Sequence, residues 1–89
     1  MSNLPITRKL SFVLELPKEI VLDLPKITLL GNEELLIENH KGIMQYSMEF
    51  MRVSTKCGML IIEGQSLILK IITADNIHIN GKIYKIWYE

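Results

Sequence analysis

Glu38, Asn39, His40 and Lys41 stand side by side, followed by Gly42, between the apolar runs LLI and IM. A carboxylate next to an imidazole is the pair that general-base chemistry uses. His40 with His78 and a carboxylate, Glu38 or Asp75, would supply three ligands for a zinc ion. Neither chemistry has the spacing it needs. The chain contains no HxH, HExxH or CxxC, no glycine-rich phosphate loop and no GxSxG elbow. Asn39 and Gly42 are residues that tight turns favour, one by bonding nearby backbone and the other by tolerating positive φ. ENHKG therefore reads as a hairpin loop, stabilised by an Asx-type bond from Asn39. No catalytic residue, cofactor site or metal site is expected.

The remaining reactive side chains fare similarly. Cys57 is the lone cysteine, so no internal disulfide is expected, and no cationic cluster surrounds it in sequence to activate it. Glu33 and Glu34 flank the Gly31-Asn32 turn and read as solvated. Trp87, Tyr84 and Tyr88 crowd the last strand with Lys82 and Lys85 interleaved, a mixture that can stack single-stranded bases. Alternation places Trp87 with Lys85 on one face and the two tyrosines on the other, so no continuous platform forms. Ten basic and ten acidic residues cancel, and no basic footprint for nucleic acid is visible.

The elements that must position these residues follow from patterning. Eighty-nine residues suffice for one domain. From Ile27 onward, short runs rich in Ile, Leu and Val recur every eight to ten residues. Strands are expected near 27–30, 34–38, 43–47, 50–54, 58–63, 67–72, 76–79 and 83–88. The intervening turns fall at Gly31-Asn32, Asn39 to Gly42, Lys56 to Gly58, Gly64-Gln65, Ala74 to Asn76 and Asn80-Gly81. Asn80-Gly81 is the strongest turn signal, since Asn-Gly is the preferred type I′ hairpin pair. The fold class is all-β: a small antiparallel β-sandwich or rolled barrel of about seven or eight short strands, with a β-solenoid as the alternative. The expected division is an N-terminal arm over residues 1–16 and one all-β domain over 17–89. In the arm, Ile6, Leu10, Val13 and Leu14 fit a short amphipathic helix, although FVLEL also alternates as a strand. Its apolar run is too short for a secretory or membrane-spanning segment, so a soluble cytoplasmic protein is expected.

Hydrophobic residues make up 48% of the chain against 22% charged. Strands such as MLII and LILKII are apolar on both faces, where a half-wet antiparallel strand would alternate. Covering them takes either tight rolling or a second protein surface, so a homo-oligomer or a partner protein is expected.

The phrases LPKEIVLDLPKITLLGN, IENHKGI, VSTKCGMLIIEG and ITADNIHINGKI, in that order, resemble the YabP/YqfC family of sporulation proteins, most closely its YqfC branch. The likeness runs from about Leu16 to Tyr88 and includes Glu38, Asn39, His40, Lys41 and Gly42 as a signature turn without an assigned role. It implies a small protein of endospore-forming bacteria, made in the mother cell and acting there or at the forespore surface. No enzymatic activity comes with it, and the membrane sporulation protein YqfD is a candidate partner. The expectation is a non-catalytic assembly or scaffold component. The alternative is a small β-barrel that binds a ligand or nucleic acid.

Overall fold

A computed structural model of the chain describes residues 22–89. The arm over residues 1–16, helix or strand, lies outside the described residues. Six strands follow: β1 Lys26–Leu30, β2 Glu34–Glu38, β3 Gly42–Tyr46, β4 Phe50–Thr55, β5 Gly58–Ile72 and β6 Asn76–Tyr88. They form a single antiparallel sheet in the order β1-β2-β6-β5-β4-β3. The described residues are all-β and antiparallel, and the sheet is rolled without closing. Antiparallel ladders throughout exclude a solenoid, whose coils run in one sense.

The eight expected strand segments become six because two expected turns are not turns. Segments 58–63 and 67–72 join into β5, and 76–79 and 83–88 join into β6. At Asn80-Gly81 the chain runs on. Asn80 is flanked by Glu34 on β2 and Ile68 on β5, so it is a central ladder residue. Gly81, with φ +141°, lies far from the left-handed turn geometry that a type I′ hairpin requires. Here glycine serves a close crossing. A Cβ on Gly81 would stand 2.6 Å from the Ser66 carbonyl oxygen, and one on Gly64 would collide with the Lys82 carbonyl. β5 and β6 thus bend against each other at two glycines, with irregular register at Glu63/Gly64 and Gln65/Ile68.

The bend divides the sheet into two similar halves. Hairpin β1–β2 lies on the first part of β6, and hairpin β3–β4 packs on the first part of β5. Each hairpin tip is tied to a bend by two backbone bonds: Gly81 and Ile83 N–H donate to Glu33 and Asn32, and Gly64 and Leu67 N–H donate to Glu49 and Met48. Inner faces of both halves feed one core. Leu35, Ile37, Ile77 and Ile79 from the first half join Met51, Val53, Leu60 and Ile62 from the second, with Leu67 and Ile83 at the bend. Each of these ten is at most 5% exposed, and burying such a side chain contributes about 1.5–3 kcal/mol before entropy is counted. The strand period of two accounts for this: in β2 and β4 every second residue is buried.

Three of the tight turns share a device. Ser47, Thr55 and Thr73 each accept backbone N–H bonds two or three residues ahead, from Phe50 (3.0 Å), Cys57 (3.0 Å) and Asn76 (2.8 Å). A hydroxyl in that position closes the turn locally, leaving Cys57 exposed at the tip of the β4–β5 hairpin.

Candidate functional site

Residues 38–42 do not form a hairpin. β2 pairs with β1 and β6 while β3 pairs with β4, so the segment carries the chain from one half of the sheet to the other. Each of its residues is tied down along the way. Asn39 adopts left-handed backbone (φ +63°), which asparagine tolerates better than most residues. Its amide does not make the expected Asx-type bond. Instead Nδ2 donates to Asp23 Oδ1 at 2.9 Å and to the Leu24 carbonyl at 3.2 Å. Lys41 Nζ reaches the same Asp23 oxygen at 3.1 Å, and Lys41 N–H donates to the Ser54 carbonyl at 2.7 Å.

His40 is 5% exposed and fully engaged. The Gly42 N–H donates to Nδ1 at 2.9 Å, and Nε2 stands 3.0 Å from the Thr73 carbonyl. With one nitrogen accepting and the other facing a carbonyl, the partners assign the neutral Nε2–H tautomer. The His40 backbone N–H donates to the Asp75 carbonyl at 3.1 Å. One histidine therefore pins the crossover to the β5–β6 turn and closes its own turn onto Gly42. Both ring nitrogens are occupied by backbone, and neither is left to abstract a proton or bind a metal.

The other candidates are dispersed. Glu38 ends β2 between Lys26 and Asn76, and His78 lies on β6 between Leu36 and Ile71. Among the described residues, no group of three or more His, Cys, Asp or Glu could hold a metal ion. Lys85 Nζ sits 4.4 Å from the Trp87 ring centroid, so these two share a face as alternation requires. Sequence reasoning did not anticipate Asp23. It sits in the LDLP turn with φ +56°, and the Asn39 amide first, then Lys41, hold its carboxyl below the usual range. An Asp placed shortly before a Leu-Pro was the available signal, since Asp accepts the left-handed region that few side chains tolerate.

Two surface depressions lie elsewhere. One of about 190 Å³ is lined by Thr28, Leu30, Glu34, Leu36 and His78. A broader groove of about 660 Å³ runs along Leu30, Glu33, Glu34, Asn80, Gly81 and Lys82. Both occupy the outward side of the first half-sheet, where Leu30 (60% exposed), Ile68 (50%) and Ile71 (55%) also stand open. The bulge at 69/71 puts Ile68 and Ile71 on one face, where strict alternation would have separated them. Among the described residues, no helix is long and apolar enough to cross a membrane.

Comparison with known proteins bears on this arrangement. No solved structure matches the chain. The protein YqfC of Bacillus subtilis (strain 168), described as uncharacterized, is 35% identical over 79 residues, covering 89% of this chain and 85% of that relative. Residues 23–89 match the YabP family, a span that takes in every strand of the sheet and the ENHKG crossover. This chain belongs to the YabP family.

Proposed function

We propose that the protein is a non-catalytic sporulation protein, acting in the mother cell or at the forespore surface as an assembly or scaffold component. The observation that carries the reading is how the reactive and apolar side chains are distributed. Both ring nitrogens of His40 are spent on backbone bonds inside the fold, while Leu30, Ile68 and Ile71 stand half or more exposed on one outward sheet face. Large apolar side chains exposed on a sheet face mark a protein contact surface more often than a reaction site. The sporulation assignment rests on the likeness to the YabP/YqfC family. YqfD is the first partner to test.

The test is made in an endospore-forming host. Deleting the gene should lower the yield of mature spores, and complementation with His40→Gln or Cys57→Ser should restore it if the protein level is maintained. Cross-linking in sporulating cells should capture the protein in an assembly. A null strain that sporulates normally would overturn the reading. So would a variant that folds normally but loses function through a single reactive side chain.

A further inference from the structure

The outward face of the first half-sheet presents two rows that cross four strands. One row reads Thr28, Leu36, His78 and Ile71, and the other Leu30, Glu34, Asn80 and Ile68, each residue directly opposite the next on the neighbouring strand. Leu30, Ile68 and Ile71 are half or more exposed, while Leu36 and His78 form the half-buried floor between them.

We propose that this face packs against the same face of a second copy of the chain, about a two-fold axis that runs parallel to the strands between β2 and β6. The proposal rests on the assembly reading above and names its partner. The observation behind it is that the row Leu30, Glu34, Asn80 and Ile68 is complementary to its own reversal. Turning the sheet about that axis lays β1 over the partner's β5 and β2 over its β6. Leu30 then meets the partner's Ile68, Thr28 meets Ile71, Leu36 meets His78, and Glu34 meets the amide of Asn80. Leu30 and the partner's Ile68 cover one another, Leu36 packs on the imidazole of His78, and the Glu34 carboxylate faces a neutral group that can donate. A two-fold axis across the strands would instead set Glu34 over the partner's Leu36 if it ran between the rows, burying a carboxylate against an apolar side chain, or over the partner's Glu38 if it ran along the first row, a like-charge contact.

Edge-to-edge pairing through the unpaired side of residues 68–72 is opposed by Lys70. An antiparallel pairing centred there brings two lysines together, a device that blunts sheet edges. Face-to-face packing of sheets at about 10 Å is the ordinary way to cover an apolar sheet surface. Four strands about 4.8 Å apart and five residues of about 3.3 Å each give a flat footprint of roughly 300 Å². A standard interface buries about 800 Å² per partner, so this pair is weak and depends on concentration.

Sedimentation of the full chain over a concentration series tests the pair. The mass should climb from 10.3 kDa toward twice that value, and Ile71→Lys, at an exposed position, should hold it at the monomer with an unchanged circular dichroism spectrum. In a Cys57→Ser background, a short bis-maleimide should couple Leu30→Cys to Ile68→Cys between chains. Either cysteine alone should couple far less, because the axis keeps identical residues apart. A monomer at every concentration, a dimer that Ile71→Lys leaves intact, or Leu30→Cys alone coupling as well as the pair would each overturn the proposal. A monomer whose deletion still blocks sporulation would remove this contact and leave the assembly reading standing. A dimer whose deletion has no effect on sporulation would do the reverse.

Discussion

At the scale of single residues, His40 and Asp23 carry the most testable consequences. Replacing His40 with alanine strips the acceptor from the Gly42 N–H and the donor from the Thr73 carbonyl, both in a part-buried setting. Each orphaned group costs about 1–3 kcal/mol, so His40→Ala should destabilise the fold by about 2–4 kcal/mol in a urea titration. His78→Ala, on an outward face, should cost far less. For Asp23, the carboxyl titration followed by NMR should fall below the ordinary aspartate range, and Asn39→Ala should move it back up, because the Asn39 amide is the largest cause of the shift. The sign follows: a folded-state pKa lowered below the unfolded one adds stability above the unfolded pKa of about 3.9, lost as pH falls through the folded value. Because Asp23 is solvent-exposed, its effect belongs in the titration curve and should scarcely move the unfolding midpoint.

At the scale of elements, the bends in β5 and β6 make the sheet roll. A Cβ at Gly64 meets the backbone of β6, and one at Gly81 meets the backbone of β5, so neither neighbour can move as a side-chain tip could. Gly64→Ala and Gly81→Ala should each cost about 2–3 kcal/mol by overpacking, with backbone strain added at Gly81, whereas Gly31→Ala, in open space, should cost only its left-handed φ. Thermal unfolding of the three variants side by side checks the ranking. These glycines also show where sequence reading succeeds and where it stops. Strand positions were legible because Leu35, Ile37, Met51 and Val53 alternate with half-wet neighbours. Asn80-Gly81 misled because local turn preference and tolerance of a close crossing select the same residue, and only the pairing of Asn80 with β2 and β5 separates the two. ENHKG reads in sequence as a hairpin loop, whereas it carries the chain between the two halves of the sheet. Its role as a crossover was hidden, since its partners Asp23, Ser54, Thr73 and Asp75 are distant in sequence.

At the scale of the whole molecule, the long β5–β6 ladder is the spine, and β1 and β3 are the outer strands. Native-state hydrogen exchange should follow that order, with the slowest amides where β5 meets β6 and faster exchange along β1 and β3. Slow amides in β1 comparable to those of the spine would show that its outer edge is covered in solution. The strand order also has a consequence for how the protein is made. β6 is synthesised after the other five strands, yet it sits in the middle of the sheet, between β2 and β5. The last residue of β2, Glu38, pairs with Asn76, which leaves the ribosome 38 residues later (76 minus 38). At about 5–20 residues per second, that is roughly 2–8 s of waiting. Through that interval the first hairpin has an apolar face and an open edge with nothing to pair against. A chain truncated before β6 should therefore fail to fold, and should aggregate, since β2 and β5 would both lack the strand that joins them.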